Sequence, residues 1–245
     1  MKAVKKIEWT PDKIAFFWDT YTQIPGNEDK YFTKMVGDGL LRFVSRQTAL
    51  TGEICDYGAG RGFLTEKLLA KPGALVSACD FSEASVAELR QRFESHPQFR
   101  SGYQLGSLPS TDIPSAAFDV LFFVEAVEHI HEDELDATLL ELLRILKPGG
   151  RIVVTTPNDE DLRRSHVICP NCAVEFHAVQ HLRSFTDASL GTLMERAGFR
   201  TQSVQAIRPL LWQGPRMGLR YAADIVKTVA GQTAPTLVYI GTKPM

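Results

Sequence analysis

Two acids and three glycines carry the first chemical signal. The stretch Ile54-Cys55-Asp56-Tyr57-Gly58-Ala59-Gly60-Arg61-Gly62 sets Asp56 just before glycines at alternate positions. Gly58, Gly60 and Gly62 let the backbone turn sharply and approach a ligand closely. The helix expected next opens with free N–H groups. A glycine loop alone is a weak signal. Here Asp80 ends the next apolar run, where a carboxylate can accept hydrogen bonds from both hydroxyls of a ribose. Phe81 follows and can lie against an adenine face. Loop and acid together predict an adenosine ligand; a glycine turn without a ligand leaves Asp80 unexplained.

The dinucleotide fingerprint G-x-G-x-x-G would need its third glycine at Phe63, and this chain has Gly62 instead. Asp56 would repel a pyrophosphate but suits the ammonium of an amino acid. These two features favour S-adenosylmethionine over a nicotinamide dinucleotide.

A second constellation lies further on. Cys169, Cys172, His177 and His181 have the spacing C-x2-C-x4-H-x3-H, which suits a compact tetrahedral zinc site with sulfur and nitrogen ligands. One zinc ion is expected there, structural if all four residues ligate. The alternative is a loop with two reduced thiols and two ordinary histidines.

Elements must position these groups. Helices are expected around 11–20 and 28–48, broken near Pro25-Gly26. Their aromatics, Trp9, Phe16, Phe17, Trp18, Tyr21, Tyr31 and Phe32, are expected mostly to pack a helical cap onto the sheet. From 51 onward strands alternate with helices. Strands are expected at Glu53–Tyr57, Leu75–Cys79, Tyr103–Leu105, Phe118–Val124 and Arg151–Thr155. Helices are expected at Phe63–Ala70, Ser82–Glu94 and Glu132–Leu146. A helix at 186–197, a strand at 200–206, a helical stretch at about 211–231 and a strand at Thr236–Gly241 complete the pattern. Such alternation predicts an α/β fold with a mostly parallel sheet and right-handed crossovers. No repeat or linker divides the chain, so one domain over 1–245 is expected, with a cap over 1–48 and a Cys/His-containing insertion over 158–184.

Composition agrees. The 245 residues are 44% hydrophobic and 23% charged, enough for a sizeable core without staples. The formal net charge of −2 does not suggest nucleic acid as a partner. The longest apolar run, Val120–Val124, is far short of the ~20 residues a bilayer needs, so no membrane span is expected. Lys2, Lys5 and Lys6 are followed by no apolar signal region, which predicts a cytoplasmic location. Cys55 and Cys79, inside apolar runs, are expected as buried thiols.

Asp-Tyr-Gly-Ala-Gly-Arg-Gly resembles motif I of class I S-adenosylmethionine-dependent methyltransferases, and Asp80 matches the acid of their motif II. Phe118-Asp119-Val120-Leu121 is similar to their fourth strand, and Leu146-Lys147-Pro148-Gly149-Gly150 to the turn before their fifth. The resemblance covers residues 50–158 well. It implies a seven-stranded Rossmann-like sheet of order 3-2-1-4-5-7-6, helices on both faces and an antiparallel last strand. It also implies that Asp56, Gly58, Gly60, Gly62, Asp80 and Phe81 bind the cofactor. Family members often carry an Asp after the third strand; this chain has Ser107 after Gly106, so that cofactor contact is expected to be weaker or made otherwise.

Glu125-Ala126-Val127-Glu128-His129 is similar to the Glu-x-x-Glu-His of ubiquinone-biosynthesis-type O-methyltransferases. The resemblance implies that Glu125 lines the cofactor pocket. His129 becomes a candidate general base, because an alcohol or phenol must lose its proton as the methyl arrives. The alternative is that Glu128 and His129 only cap the next turn. His131, which lacks a comparable match, is expected at the surface. The Cys-Pro-x-Cys…Phe-His…His stretch is more loosely similar to segments in bacterial members of this branch. The expected activity is O-methylation of a small hydroxylated acceptor. N- or S-methylation, and a metal-knuckle binding module on a degenerate methyltransferase scaffold, are the alternatives.

Overall fold

A computed structural model describes residues 3–106, 112–212, 226 and 233–245. In chain order the elements are β1 (Lys5–Lys6), α1 (Pro11–Gln23), α2 (Phe32–Val44), β2 (Gly52–Tyr57), α3 (Phe63–Leu69), β3 (Ala74–Asp80), α4 (Glu83–Phe93) and β4 (Phe99–Gln104). They continue with β5 (Phe118–Val124), α5 (Glu132–Ile145), β6 (Leu146–Pro157), β7 (His166–Ile168), β8 (Val174–His177), α6 (Asp187–Arg196), β9 (Arg200–Ile207) and β10 (Thr236–Thr242).

The main sheet has seven strands in the order β4-β3-β2-β5-β6-β10-β9. Counted among its own strands this is 3-2-1-4-5-7-6, as the resemblance implies. β4 through β6 are parallel to their neighbours, and β10 runs antiparallel to both β6 and β9. The order reverses between β2 and β5. In such sheets the crevice beyond the carboxyl ends of those strands is where a ligand fits.

Alternation along β5 shows how the sheet is buried on both sides. Val120, Phe122 and Val124 join a core with Leu40 and Leu41 of α2, Leu64 and Leu68 of α3 and Leu89 of α4. Leu121 and Phe123 join a second core with Leu135, Leu139 and Leu142 of α5 and Leu190 and Met194 of α6. Each large side chain buried this way contributes about 1.5–3 kcal/mol. Among the described residues no helix is long and apolar enough to cross a membrane.

Several expected boundaries move. β4 starts at Phe99 rather than Tyr103. It is an edge strand, so its polar Arg100-Ser101-Gly102 stretch pairs with β3 without needing an apolar face. β6 begins at Leu146, inside the expected Pro-Gly turn. The helix expected from 28 begins at Phe32, after a separate 3-10 turn over Asn27–Lys30. The helical stretch expected at about 211–231 lies almost wholly outside the described residues.

A second sheet was not expected. β7 and β8 form an antiparallel hairpin in the insertion, and β1 adds to it in parallel, Lys5 opposite Val174 and Lys6 opposite Glu175. These strands are too short to leave a readable period in the sequence.

Candidate active site

Asp56 is the second-last residue of β2, Asp80 ends β3, and β5 hands the chain to Glu125. All three line one cavity of about 280 Å³ at the reversal of strand order. The glycine loop forms its rim. Gly58 and Gly60 line the cavity with φ of +78° and +51°. The N–H groups of Gly58 and Ala59 donate to the carbonyl of Cys79 at 2.8 and 3.0 Å, which locks the loop to β3. Gly62 is different. It does not line the cavity; it starts α3 at φ +77°, and a Cβ there would stand 2.5 Å from Leu89 Cδ2 and 2.8 Å from Phe93 Cε2. Its glycine is required by packing against α4.

Asp80 is 5% exposed. The N–H of Gly60 donates to its Oδ2 at 2.8 Å and that of Ser82 to its Oδ1 at 2.9 Å. Each oxygen keeps a further lone pair for a ligand hydroxyl. Burial pushes the pKa up to about 6, against the pull of those two N–H groups. Asp56 accepts the Thr65 hydroxyl at 2.7 Å, and burial pushes its pKa up to about 7. Phe81 is exposed on the rim, open to an aromatic ligand face. Ser107 lies outside the described residues.

Glu125 adopts φ +48°, a left-handed conformation that is uncommon for a residue with a side chain. Its N–H donates to the Thr155 carbonyl at 3.0 Å, and its Oε1 accepts the Thr155 hydroxyl at 2.7 Å. Burial and the nearby Glu160 charge push its pKa up to about 7. Strain of this kind persists where surrounding contacts over-determine the backbone; here β6 holds the turn that aims Glu125 into the cavity.

Beyond Glu125 the cavity reaches Glu128, His129 and His181. His129 Nδ1 lies 3.4 Å from the Gln180 carbonyl, and its ring is 4.7 Å from that of Trp18 and 4.8 Å from that of His181. Burial and the two neighbouring histidines hold its pKa down to about 3. Burial pushes the Glu128 carboxyl well up, and Glu125 reinforces this. His131 has a structural role: its Nδ1 faces the Asp133 N–H at the start of α5.

The insertion covers this end. Gln180 is fully buried with φ +58°. It accepts Trp18 Nε1–H at 2.7 Å and donates to the His129 carbonyl at 3.0 Å. One side chain thus ties α1 and the turn after β5 to the insertion. Trp18, Tyr21 and Tyr31 line the cavity, so these aromatics of the expected cap enclose a ligand space rather than pack on the sheet. The buried hydroxyl of Tyr31 has no hydrogen-bond partner among the described residues, which leaves it available to a ligand.

The expected zinc set is not gathered. Cys169 and Cys172 occupy the turn between β7 and β8, while His177 ends β8 opposite His166 at the base of the hairpin. Three residues of strand separate the turn from His177, about 10 Å. Among the described residues two groups of potential ligands lie within 4.8 Å, Glu128–His129–His181 and Glu160–His177–His181, and the cysteines belong to neither. His177 and His181 do meet, with rings 4.5 Å apart and 16° from parallel. Their partner is Glu160, at 3.3 Å from His177 Nε2 and 2.5 Å from His181 Nδ1. Glu160, Gln180 and Trp18 had no local signal in the sequence; their partners are distant along the chain.

A family model described as a methyltransferase domain matches residues 29–204. The ubiquinone biosynthesis O-methyltransferase of Coxiella burnetii (strain RSA 493) is 29% identical over 119 residues, 48% of this chain and 49% of that protein. O-methyltransferase cnsE of Penicillium expansum is 26% identical over 193 residues, 77% of this chain and 66% of that protein. The chain spans about half the length of the first curated relatives it matches. Among solved structures, the Burkholderia thailandensis 1,6-didemethyltoxoflavin-N1-methyltransferase with bound 1,6-didemethyltoxoflavin and S-adenosylhomocysteine has a TM-score of 0.64 at 20% identity, covering 99% of this chain and 94% of that one. The 4+2 cyclase SpnF has a TM-score of 0.68 at 17% identity over 100% of both chains. These two likenesses are of fold alone, and a shared fold does not select a reaction.

Proposed function

As a member of the class I S-adenosylmethionine-dependent methyltransferase family, matched over residues 29–204, the chain carries that family's cofactor chemistry, and we propose that it methylates the oxygen of a small hydroxylated acceptor of sugar or phenol type. One observation carries the proposal: a single cavity runs from Gly58, Gly60 and Asp80 past Glu125 to Glu128, His129 and His181. A donor site and a polar acceptor site therefore share one enclosed space.

At the donor end the residues fit the cofactor. Asp80 offers two oxygens to the ribose hydroxyls, Phe81 an aromatic face to adenine, and Gly58 and Gly60 bare backbone beside them. Asp56 lies in the same cavity, where its carboxylate suits an ammonium group. When bound, the cofactor supplies a methyl group already activated on a sulfonium. The chain's part is to align the acceptor, exclude water and manage one proton. Trp18 and Tyr21 close the space from the α1 side. At the acceptor end, Nδ1 of His129 faces a backbone carbonyl and can only donate there. Its proton is therefore held on Nδ1, and the Nε2 lone pair is left for the acceptor hydroxyl.

Labelled S-adenosylmethionine with a panel of phenols, sugars, amines and thiols tests this. Transfer to hydroxyl groups is expected. Transfer to amines or thiols alone would establish the N- or S-methylation alternative. Absence of cofactor binding would overturn the proposal at the donor end.

A further inference from the structure

We propose that His181, with Glu160 behind it, is the base that takes the acceptor's proton, while His129 beside it accepts a hydrogen bond from the acceptor. The inference rests on the proposed O-methylation and deepens it: the insertion supplies a reacting group as well as a cover.

Two imidazoles line the acceptor end of the cavity, and what stands behind them differs. His129 comes from the turn after β5. Its Nδ1 faces the backbone carbonyl of Gln180 at 3.4 Å, a long contact with a neutral group. His181 comes from the insertion. Its Nδ1 faces a carboxylate oxygen, Glu160 Oε2, at 2.5 Å. Each Nδ1 keeps its proton there, so each ring has an Nε2 lone pair left over. The two lone pairs are not equal. A ring that gains a proton becomes a cation, and a carboxylate against its other nitrogen stabilises that cation. A carbonyl at 3.4 Å does this far less. Burial and the two neighbouring histidines hold His129 at a pKa of about 3, so it does not keep a proton at pH 7.

Glu160 is itself aimed. Its Oε1 lies 3.3 Å from His177 Nε2. His177 is buried, and its Nδ1 accepts the backbone N–H of His181 at 3.1 Å and of Val179 at 3.4 Å. The His177 proton is therefore on Nε2 and points at Glu160. The rings of His177 and His181 stack at 4.5 Å, 16° from parallel. His177 thus positions Glu160, Glu160 positions His181, and His181 meets the acceptor. His177 does not compete for the proton, because burial and the adjacent His181 hold its pKa down.

The other titratable groups nearby are unsuited. Burial pushes the Glu128 carboxyl well up, and it is met by the Thr156 hydroxyl, so it carries its own proton at neutral pH. Glu125 lies toward the donor end with its Oε1 accepting the Thr155 hydroxyl. His166, beyond His177, is 2.8 Å from Glu175 and does not line the cavity.

One ring nitrogen of His129 and one of His181 lie within 4.8 Å of each other. An oxygen about 2.8 Å from each fits that gap. A hydroxyl held there turns its proton from His129 to His181 by rotation about its C–O bond. The O–H bond then breaks and the proton goes to His181 Nε2. The electron pair left on oxygen bonds the methyl carbon as the carbon–sulfur bond breaks, and that bond's pair stays on sulfur. Once the product departs, the imidazolium returns its proton to water.

The test uses the hydroxyl acceptor that turns over fastest in the labelled-cofactor panel. His181→Ala should lower kcat by about 10³–10⁴-fold, against about 10²-fold for His129→Ala. KM and S-adenosylmethionine affinity should stay within about threefold. Added imidazole should raise the turnover of His181→Ala at least about tenfold and leave that of His129→Ala unchanged. Glu160→Gln should lower kcat at least about tenfold at unchanged KM, and Glu160→Asp should regain part of the loss. Turnover of His181→Ala within about tenfold of native, or imidazole rescue of His129→Ala instead, overturns the proposal. If His181→Ala fails to fold, His181→Gln decides by the same loss in kcat. Nitrogen-15 NMR of the free protein gives a readout independent of any acceptor. His129 and His181 should both carry the proton on Nδ1, and Glu160→Gln should move the His181 signals and spare those of His129. A His181 proton on Nε2 overturns the base. Hydroxyl transfer that survives His181→Ala removes the base and leaves O-methylation standing, whereas transfer to amines or thiols alone overturns both.

Discussion

Replacing Asp80 by Asn keeps the shape of the side chain and removes what the donor site needs from it. Both Asp80 oxygens already face backbone N–H groups, Gly60 at 2.8 Å and Ser82 at 2.9 Å. The new amide NH2 must therefore meet a donor, and only one oxygen remains to accept from the ribose. A hydrogen bond to a charged group is worth about 1.5–3 kcal/mol, so affinity for S-adenosylmethionine should fall about 10–100-fold at pH 7. The same carboxylate sets a pH dependence. Its pKa in the folded protein is raised to about 6, above the ordinary carboxylate value of 3.8. A raised acid is deprotonated more readily in the unfolded chain. Its contribution to the free protein's stability is thus present at low pH and lost as pH rises from about 4 to about 6. Cofactor binding has the opposite sign because it uses the ionised form. About a tenth of Asp80 is ionised at pH 5 and about nine-tenths at pH 7, so its ionisation alone should raise affinity about tenfold between them. Asp56, raised to about 7, titrates in the same window. Asp80→Asn should therefore shrink the pH 7 to pH 5 affinity ratio about tenfold without abolishing it. Calorimetry on both proteins at both pH values is the assay. An Asn variant that binds within threefold of the native protein at pH 7, or keeps its full pH slope, refutes the assignment.

Gly62→Ala forces a left-handed alanine against Leu89 and Phe93; about 2–4 kcal/mol of stability should be lost. That corresponds to a Tm about 5–15 °C lower, while the folded fraction binds cofactor within threefold because Gly62 is outside the cavity; a scan of thermal stability beside calorimetry checks both. Gln180→Ala removes two buried hydrogen bonds and should cost about 1–3 kcal/mol, with faster amide exchange in α1 and over 158–184; unchanged exchange in α1 would show that Trp18 is held by other contacts. A ring that burial holds at a pKa of about 3 is a weak proton acceptor at pH 7, so His129→Ala should lower turnover only at the low end of general-base effects, about 10²-fold, with cofactor affinity nearly unchanged, and near-native turnover would remove His129 from the acceptor site.

The donor half of the site was legible because its signals are local. Asp56 near the end of β2 leads straight into the loop of Gly58 and Gly60, and Asp80 ends the very next strand, where a parallel sheet brings neighbouring strand ends together. The acceptor half was not, because its geometry depends on where the insertion folds back. The spacing of Cys169, Cys172, His177 and His181 suggested one cluster. Hairpin register instead carried His177 to the far end from the cysteines, and the reversal at Gln180 stacked His181 on it. Glu160 and Gln180 acquire their meaning only from that reversal. The expectation for the N-terminal aromatics misplaced Trp18, Tyr21 and Tyr31 for a related reason. α1 buries none of its residues on the sheet, and a weakly patterned helix can cover a cavity as readily as a core.

The stitching of α1 to the insertion has a consequence for synthesis on the ribosome. Trp18 and Gln180 are 162 residues apart in sequence, and Lys5 waits for Val174. At about 5–20 residues per second, roughly 10–30 s of elongation separates the two halves of each contact. During that interval β2, α3 and β3 can assemble with Asp80 already in place, while Trp18 waits for Gln180 and Trp9 for Phe176. The roof of the cavity is thus made from segments that emerge before β2 and after β6, and the nascent chain reaches its ligand-enclosing shape only after five strands of the main sheet exist.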